Sequence, residues 1–107
     1  MQLAMHAHGL AGRRHDRLFR LAAERADAAL GRLADRVAGV VLRLSDENGP
    51  KGGRALRCVA TLQLVGGGSL VSTSLSSDWQ DACSRALDRA ATLVKRCTGR
   101  KRSLERR

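Results

Sequence analysis

The chain opens on an alternation. In "MQLAMHA", Leu3, Met5 and Ala7 alternate with Gln2, Ala4 and His6, and this period of two predicts a half-buried strand because successive strand side chains point to opposite faces. Gly9 and Gly12 bracket a turn, after which Phe19, Ala22, Ala26, Ala29, Leu30, Leu33 and Val37 recur at helical spacing. Alanine and leucine dominate that stretch, and both lose little side-chain freedom in a helix. From Val37 the period returns to two. Val40, Leu42 and Leu44 fall on one face and Val41, Arg43 and Ser45 on the other, which predicts a second strand.

The next stretch, "SDENGPKGGRALRC", breaks all periodicity with glycine and proline and reads as a loop. Alternation resumes in "LRCVATLQL", with Leu56, Cys58, Ala60, Leu62 and Leu64 inward and Arg57, Val59, Thr61 and Gln63 outward. Gly66-Gly67-Gly68 then offers the positive-φ freedom that a hairpin into "SLVSTSLS" requires. In the last segment Trp79, Ala82, Cys83, Ala86, Leu87, Ala90, Val94 and Cys97 mark one helical stripe. Ser77 with Gln80 has the spacing of a capping box, and Gly99 suits the position just past a helix end.

The element order is therefore β-α-β-β-β-α. Two amphipathic helices each need an apolar partner, and one face of a four-stranded sheet serves both. The expected class is α+β, a four-stranded sheet with two helices packed on one face. Residues 1–98 are expected to form a single domain, and the basic segment 99–107, "GRKRSLERR", a disordered tail. A chain of 107 residues has room for one modest core and no second domain.

Charge changes the picture from a small α+β domain to one with a preferred kind of partner. Twenty Lys and Arg against ten Asp and Glu leave a formal charge of +10, far beyond what solubility needs, so a polyanion is the expected partner and nucleic acid the leading one. The aromatic residues narrow this further. Phe19 and Trp79 are the two aromatic side chains of a chain without tyrosine, whereas readers of single strands stack bases on exposed rings. Contact through phosphates and duplex shape fits better.

Cys58, Cys83 and Cys97 are widely spaced and form no C-x-x-C element, which argues against a zinc site and for a reducing compartment. All three fall on faces assigned to the core, where a thiol acts as a small hydrophobe. The N-terminus lacks a continuous apolar segment behind a basic start, and no run reaches membrane-spanning length. A soluble, unprocessed chain is expected, without cofactor, metal, membrane contact or small-molecule substrate. His6 and His8 share a strand face without an evident third ligand, and His15 stands apart. No nucleophile sits in a suggestive local context beside a base, so an enzyme is not expected.

The candidate contacts are cationic. On the last helix Arg85, Arg89 and Arg96 stand four and seven residues apart, so they form one exposed line with Thr92 between them and Lys95 beside it. Asp81 lies four residues before Arg85 and is placed to pair with it, leaving the C-terminal half of the line freer. Arg100, Lys101 and Arg102 continue the charge. The first helix carries Arg17, Arg20, Arg25, Arg32 and Arg36, but Glu24, Asp27 and Asp35 interrupt them, making it the weaker surface. In the glycine-rich loop, Lys51, Arg54 and Arg57 could line an anion-binding concavity of backbone N–H groups. The segment lacks the G-x-x-x-x-G-K-[ST] pattern and joins two strands, which excludes a nucleoside triphosphate loop. Asp46 and Glu47 would repel phosphate unless they pair with Lys51 or Arg54. A plain inter-strand connection and an RNA-backbone contact both remain open at this point.

Set beside this element order, "DWQDACSRALDRAATLVKR" resembles the last helix of the ribosome hibernation-promoting factor and ribosome-associated inhibitor family. Asp78, Trp79, Ala82, Leu87, Asp88, Arg89, Lys95 and Arg96 correspond to the family pattern, while Cys83 stands where isoleucine is usual and Ser84 where aspartate is usual. "LGRLADRV" resembles the family's leucine-x-arginine-leucine step, with Arg32 in the arginine's place. The loop "DENGPKGG" resembles a form found in some proteobacterial relatives. The similarity covers nearly the whole chain.

The resemblance implies the short form of the family. Such a protein is cytoplasmic and binds the small ribosomal subunit and its rRNA in the mRNA and tRNA channel near the decoding region. It blocks translation in starved or stationary-phase cells as a stress response and is monomeric off the ribosome. Lys51, Arg54, Arg57, Arg85, Arg89, Lys95, Arg96, Arg100, Lys101 and Arg102 are the expected rRNA contacts. Two alternatives stand beside it: a general double-stranded-RNA-binding domain, and a regulatory protein-interaction domain with an acidic partner.

Overall fold

A computed structural model describes residues 1–47 and 55–105, with side chains described to Cys97. Its elements are β1 (Gln2–Ala7), α1 (Gly12–Leu30) followed by a 3₁₀ turn (Gly31–Leu33), β2 (Val37–Asp46), β3 (Leu56–Leu64), β4 (Ser69–Ser76) and α2 (Trp79–Glu105). The expected order β-α-β-β-β-α and the α+β class are what the structure shows.

The four strands lie in the order β1-β2-β3-β4. β1 and β2 are parallel, which demands a crossover, and α1 supplies it. The β2–β3 and β3–β4 pairs are antiparallel. At the second hairpin Gly66, Gly67 and Gly68 take φ of 91°, 111° and 86°, a region closed to most side chains. The Leu64 N–H donates to the Gly68 carbonyl across that turn at 3.0 Å.

Both helices cover the same face. Met5, Val40, Leu42, Leu44, Cys58, Ala60 and Leu62 from the sheet meet Leu18, Ala22, Ala26 and Leu30 of α1 and Ala82, Cys83, Ala86, Leu87, Ala90, Ala91 and Val94 of α2 in one core. Many of the helix contributions are alanines, so the helices sit close to the strands and to each other. Val37 and Val40 are both buried although their spacing would place them on opposite faces. The register slips between Val37 and Gly39, so Ala38 is the extra residue of a bulge that rotates Val37 inward.

Four expectations are corrected. Helical spacing carried the first helix through Leu33 to Val37, but α1 stops at Leu30, where Gly31 introduces a 3₁₀ turn. Its buried stripe is Leu18, Ala22, Ala26 and Leu30, with Phe19 half-buried beside it. Asp78, not Ser77, caps α2: its Oδ2 accepts from the Asp81 N–H at 3.1 Å, while its own carbonyl accepts the first helical bond from Ala82. Gly99 does not end α2, whose backbone is helical to Glu105. The arginines and lysine around that glycine favour helix enough to carry it through a residue that costs about 1 kcal/mol. Cys97 is half-buried, and Val94 is the last fully buried α2 side chain among the described residues.

Candidate nucleic-acid interface

The exposed side of α2 faces away from the sheet because the inward stripe of alanines and Leu87 takes up the rest of the helix surface. Arg85, Arg89, Thr92, Lys95 and Arg96 are exposed along it. The structure therefore brings Arg85, Arg89, Lys95 and Arg96 onto one surface.

These cations are not equivalent. Arg85 Nε lies 2.9 Å from Asp81 Oδ2, the i,i+4 pair that the spacing predicts. Asp81 also accepts from Ser76 Oγ at 2.7 Å, and Ser76 Oγ in turn lies 3.3 Å from the Asp78 N–H that donates to it. Arg85 is thus tied into the N-terminal cap of its own helix. Arg89 reaches over the edge of β4 and donates from its Nη1 to the Thr73 carbonyl at 2.8 Å. Lys95 and Arg96 have no carboxylate partner among the described residues.

Sequence spacing missed one cation of this surface. Arg25 of α1 projects across the helix pair, and its Nη2 donates to both carboxylate oxygens of Asp88 at 2.7 Å. With Lys95, Thr92 and Asp88 it lines a shallow groove between α1 and α2. Sixty-three positions separate Arg25 from Asp88, and nothing in the local spacing of either helix signals that they meet.

The remaining candidates lie elsewhere. Arg57 projects from the opposite face of the sheet and pairs with Glu47 at 3.1 Å. Glu47 is therefore held by Arg57, and its N–H donates to the Ala55 carbonyl at 2.7 Å, which joins the two ends of the glycine-rich segment. Lys51 and Arg54 lie outside the described residues, and so does the question of whether their loop cradles an anion. Arg100, Lys101 and Arg102 stand on the helical continuation of α2, outside the residues whose side chains are described.

The histidines are dispersed. His6 is exposed on the open side of the sheet, His8 follows the end of β1, and His15 Nε2 lies 3.4 Å from the Met5 carbonyl. Among the described residues no three His, Cys, Asp or Glu side chains converge as metal ligands. Cys58 and Cys83 are buried against each other, and contact with Cys83 together with burial pushes the Cys58 thiol far above the ordinary thiol range. No helix among the described residues is long and apolar enough to cross a membrane.

No family model and no curated protein sequence matches the chain. Solved structures that resemble it over most of its length include the following two. A ribosomal subunit interface protein from Coxiella burnetii superposes with a TM-score of 0.65 at 14% identity, covering 92% of this chain and 99% of that one. The N-terminal domain of Thermus thermophilus Protein Y superposes with a TM-score of 0.58 at 23% identity, covering 89% and 93%. The mixed four-stranded sheet with both helices on one face is thus the fold of this chain and of both those proteins.

Proposed function

We propose that the protein is a ribosome-associated translation inhibitor of the hibernation-factor kind. It acts in the cytoplasm, where it binds small-subunit rRNA in the mRNA and tRNA channel near the decoding region. The observation that carries the reading is the surface of α2, where Arg89, Lys95 and Arg96 stand exposed on a rigid helix of a fold shared with a ribosomal subunit interface protein. Arg25 and Arg85 flank them, each already held by a carboxylate.

The mechanism requires no bond making. Basic side chains neutralise rRNA phosphates and release their counterions, while the sheet-and-helix body fills space that mRNA and tRNA need. A helix backed by a packed core holds its cations at fixed spacing, so little order is lost on binding. The half-buried positions of Phe19 and Trp79 against the core fit phosphate contact rather than base stacking.

Sedimentation of a stationary-phase lysate through sucrose gradients at two salt concentrations tests this. Co-migration with small subunits or whole ribosomes, lost at the higher salt, supports the reading. Retention at the top of the gradient at low salt overturns it. Binding that an excess of duplex RNA competes away identifies a general duplex binder instead.

A further inference from the structure

Strand β4 is inverted. Its fully buried inward residues are Ser72 and Ser74, with Leu70 half-buried against the core on the same face, and its outward residues include Val71 and Leu75, exposed at 56% and 57%. The inward serines have a cause in α2. Ser72 Oγ donates to the Ala86 carbonyl at 2.6 Å and Ser74 Oγ donates to the Ala82 carbonyl, so small polar side chains let the helix lie close against the strand. The outward pair has no such cause. Strand propensity explains a β-branched residue at 71 but not the leucine at 75.

The register shows what surrounds them. On the face of the sheet away from the helices, Ala4, Val41, Thr61 and Val71 form one cross-strand row, and His6, Arg43, Val59 and Thr73 form the next. Arg57 and Leu75 face each other in the row beyond. Aliphatic side chains, interrupted by Thr61 and Thr73, thus run across the sheet and down β4, with Arg43, Arg57 and His6 beside them. Glu47 pairs with Arg57, and Arg43 has no carboxylate partner among the described residues.

We infer that this open sheet face is a second interaction surface, and that it takes a protein segment presenting aliphatic side chains flanked by carboxylates. Charge complementarity selects that occupant. A second copy of this chain would bring like charges together, since the face is cationic and the chain carries +10. RNA held through its phosphates would leave Val71 and Leu75 exposed, so it satisfies the charged part of the face and not the apolar part. An added strand at the β4 edge is disfavoured where Arg89 already occupies the Thr73 carbonyl. A segment lying across the face buries Val71 and Leu75 and meets Arg43, which satisfies both the apolar and the charged parts. The inference is independent of rRNA binding by α2.

The test uses the full chain with methyl-labelled valine and leucine, titrated by nuclear magnetic resonance with a synthetic peptide alternating leucine and glutamate. Shifts confined to Val41, Val59, Val71 and Leu75, with the core methyls of Leu30 and Leu87 unmoved, support the inference. Val71→Asp with Leu75→Asp should weaken binding at least tenfold. Arg43→Glu, which keeps the aliphatic side chains and the core, should weaken the glutamate peptide and admit its lysine counterpart. The inference is overturned if the open-face methyls do not respond, if both peptides bind the native protein equally, or if an RNA oligonucleotide moves these methyls more than the peptide does. Gradient co-migration of the Val71→Asp/Leu75→Asp protein with ribosomes reports on the α2 reading separately.

Discussion

Arg25 and Asp88 join the two helices, with Nη2 of the arginine 2.7 Å from both carboxylate oxygens. Both side chains are substantially exposed, so the pair contributes about 0–1 kcal/mol to stability. Its larger effect is electrostatic. Asp88 places a negative charge in the middle of the cationic face and ties up an arginine there. Asp88→Asn should leave the melting temperature nearly unchanged while raising affinity for rRNA and steepening the salt dependence of binding by roughly one unit of slope. Affinity measured across a salt series checks this.

Removing the unpaired charges should have the opposite effect. Lys95→Ala with Arg96→Ala should weaken rRNA binding and flatten the salt slope by about 1.5–2 units, without a change in fold. Arg89→Ala should add to that loss and also leave the exposed Thr73 carbonyl to water, at a stability cost of about 1 kcal/mol or less. Unchanged slope in the double variant would remove α2 from the interface.

At Ser74 a hydrophobic substitution should destabilise. The side chain is buried and bonded to Ala82, and in the register it stands opposite Cys58, itself fully buried. Ser74→Ala loses one hydrogen bond, about 1 kcal/mol. Ser74→Val adds volume under α2 and should cost about 1–3 kcal/mol by overpacking. Val71→Thr, on the same strand and the other face, should be near neutral. Chemical denaturation of the three variants distinguishes the two faces of β4.

The buried thiol of Cys58 makes stability depend on alkaline pH. Its folded-state pKa lies far above that of the unfolded chain, where a free thiol titrates near about 8.5. Above that pH the unfolded state has lost a Cys58 proton that the native state keeps, so the Cys58 contribution to stability falls as pH rises, while Cys83, lowered by the contact with Cys58 against the burial that raises it, acts in the opposite direction. The contribution is fully present below about pH 8.5. Cys58→Ala should lower stability at neutral pH by opening a small cavity, yet flatten its decline between about pH 8.5 and 10. A parallel slope in the variant and native proteins would refute the assignment.

Much of this architecture was legible from spacing. The alternations at Leu3-Met5-Ala7, Val40-Leu42-Leu44 and Leu56 to Leu64 place these residues toward the helices in the structure, because a strand buried on one face cannot slip by one residue without exposing its core side. The stripe from Ala82 to Val94 likewise fixed the outward side of α2, and with it the line of Arg85, Arg89 and Arg96. The Asp81–Arg85 pair followed from local helix geometry alone.

Other features required the chain to close on itself. The cap of α2 lies at Asp78 and not Ser77, because it is the Asp78 carboxylate that accepts the Asp81 N–H and the Asp78 carbonyl that accepts the first helical bond. Arg25 became part of the candidate surface only through the packing of α1 on α2. Arg57 left it because the outward side of β3 faces away from both helices. Local periods report which side of an element is apolar, and so the sequence by itself determined six elements, their inward faces and the excess of positive charge. Which outward faces meet, and which arginine is neutralised by which carboxylate, depends on contacts between residues distant along the chain, and only the tertiary structure decided those.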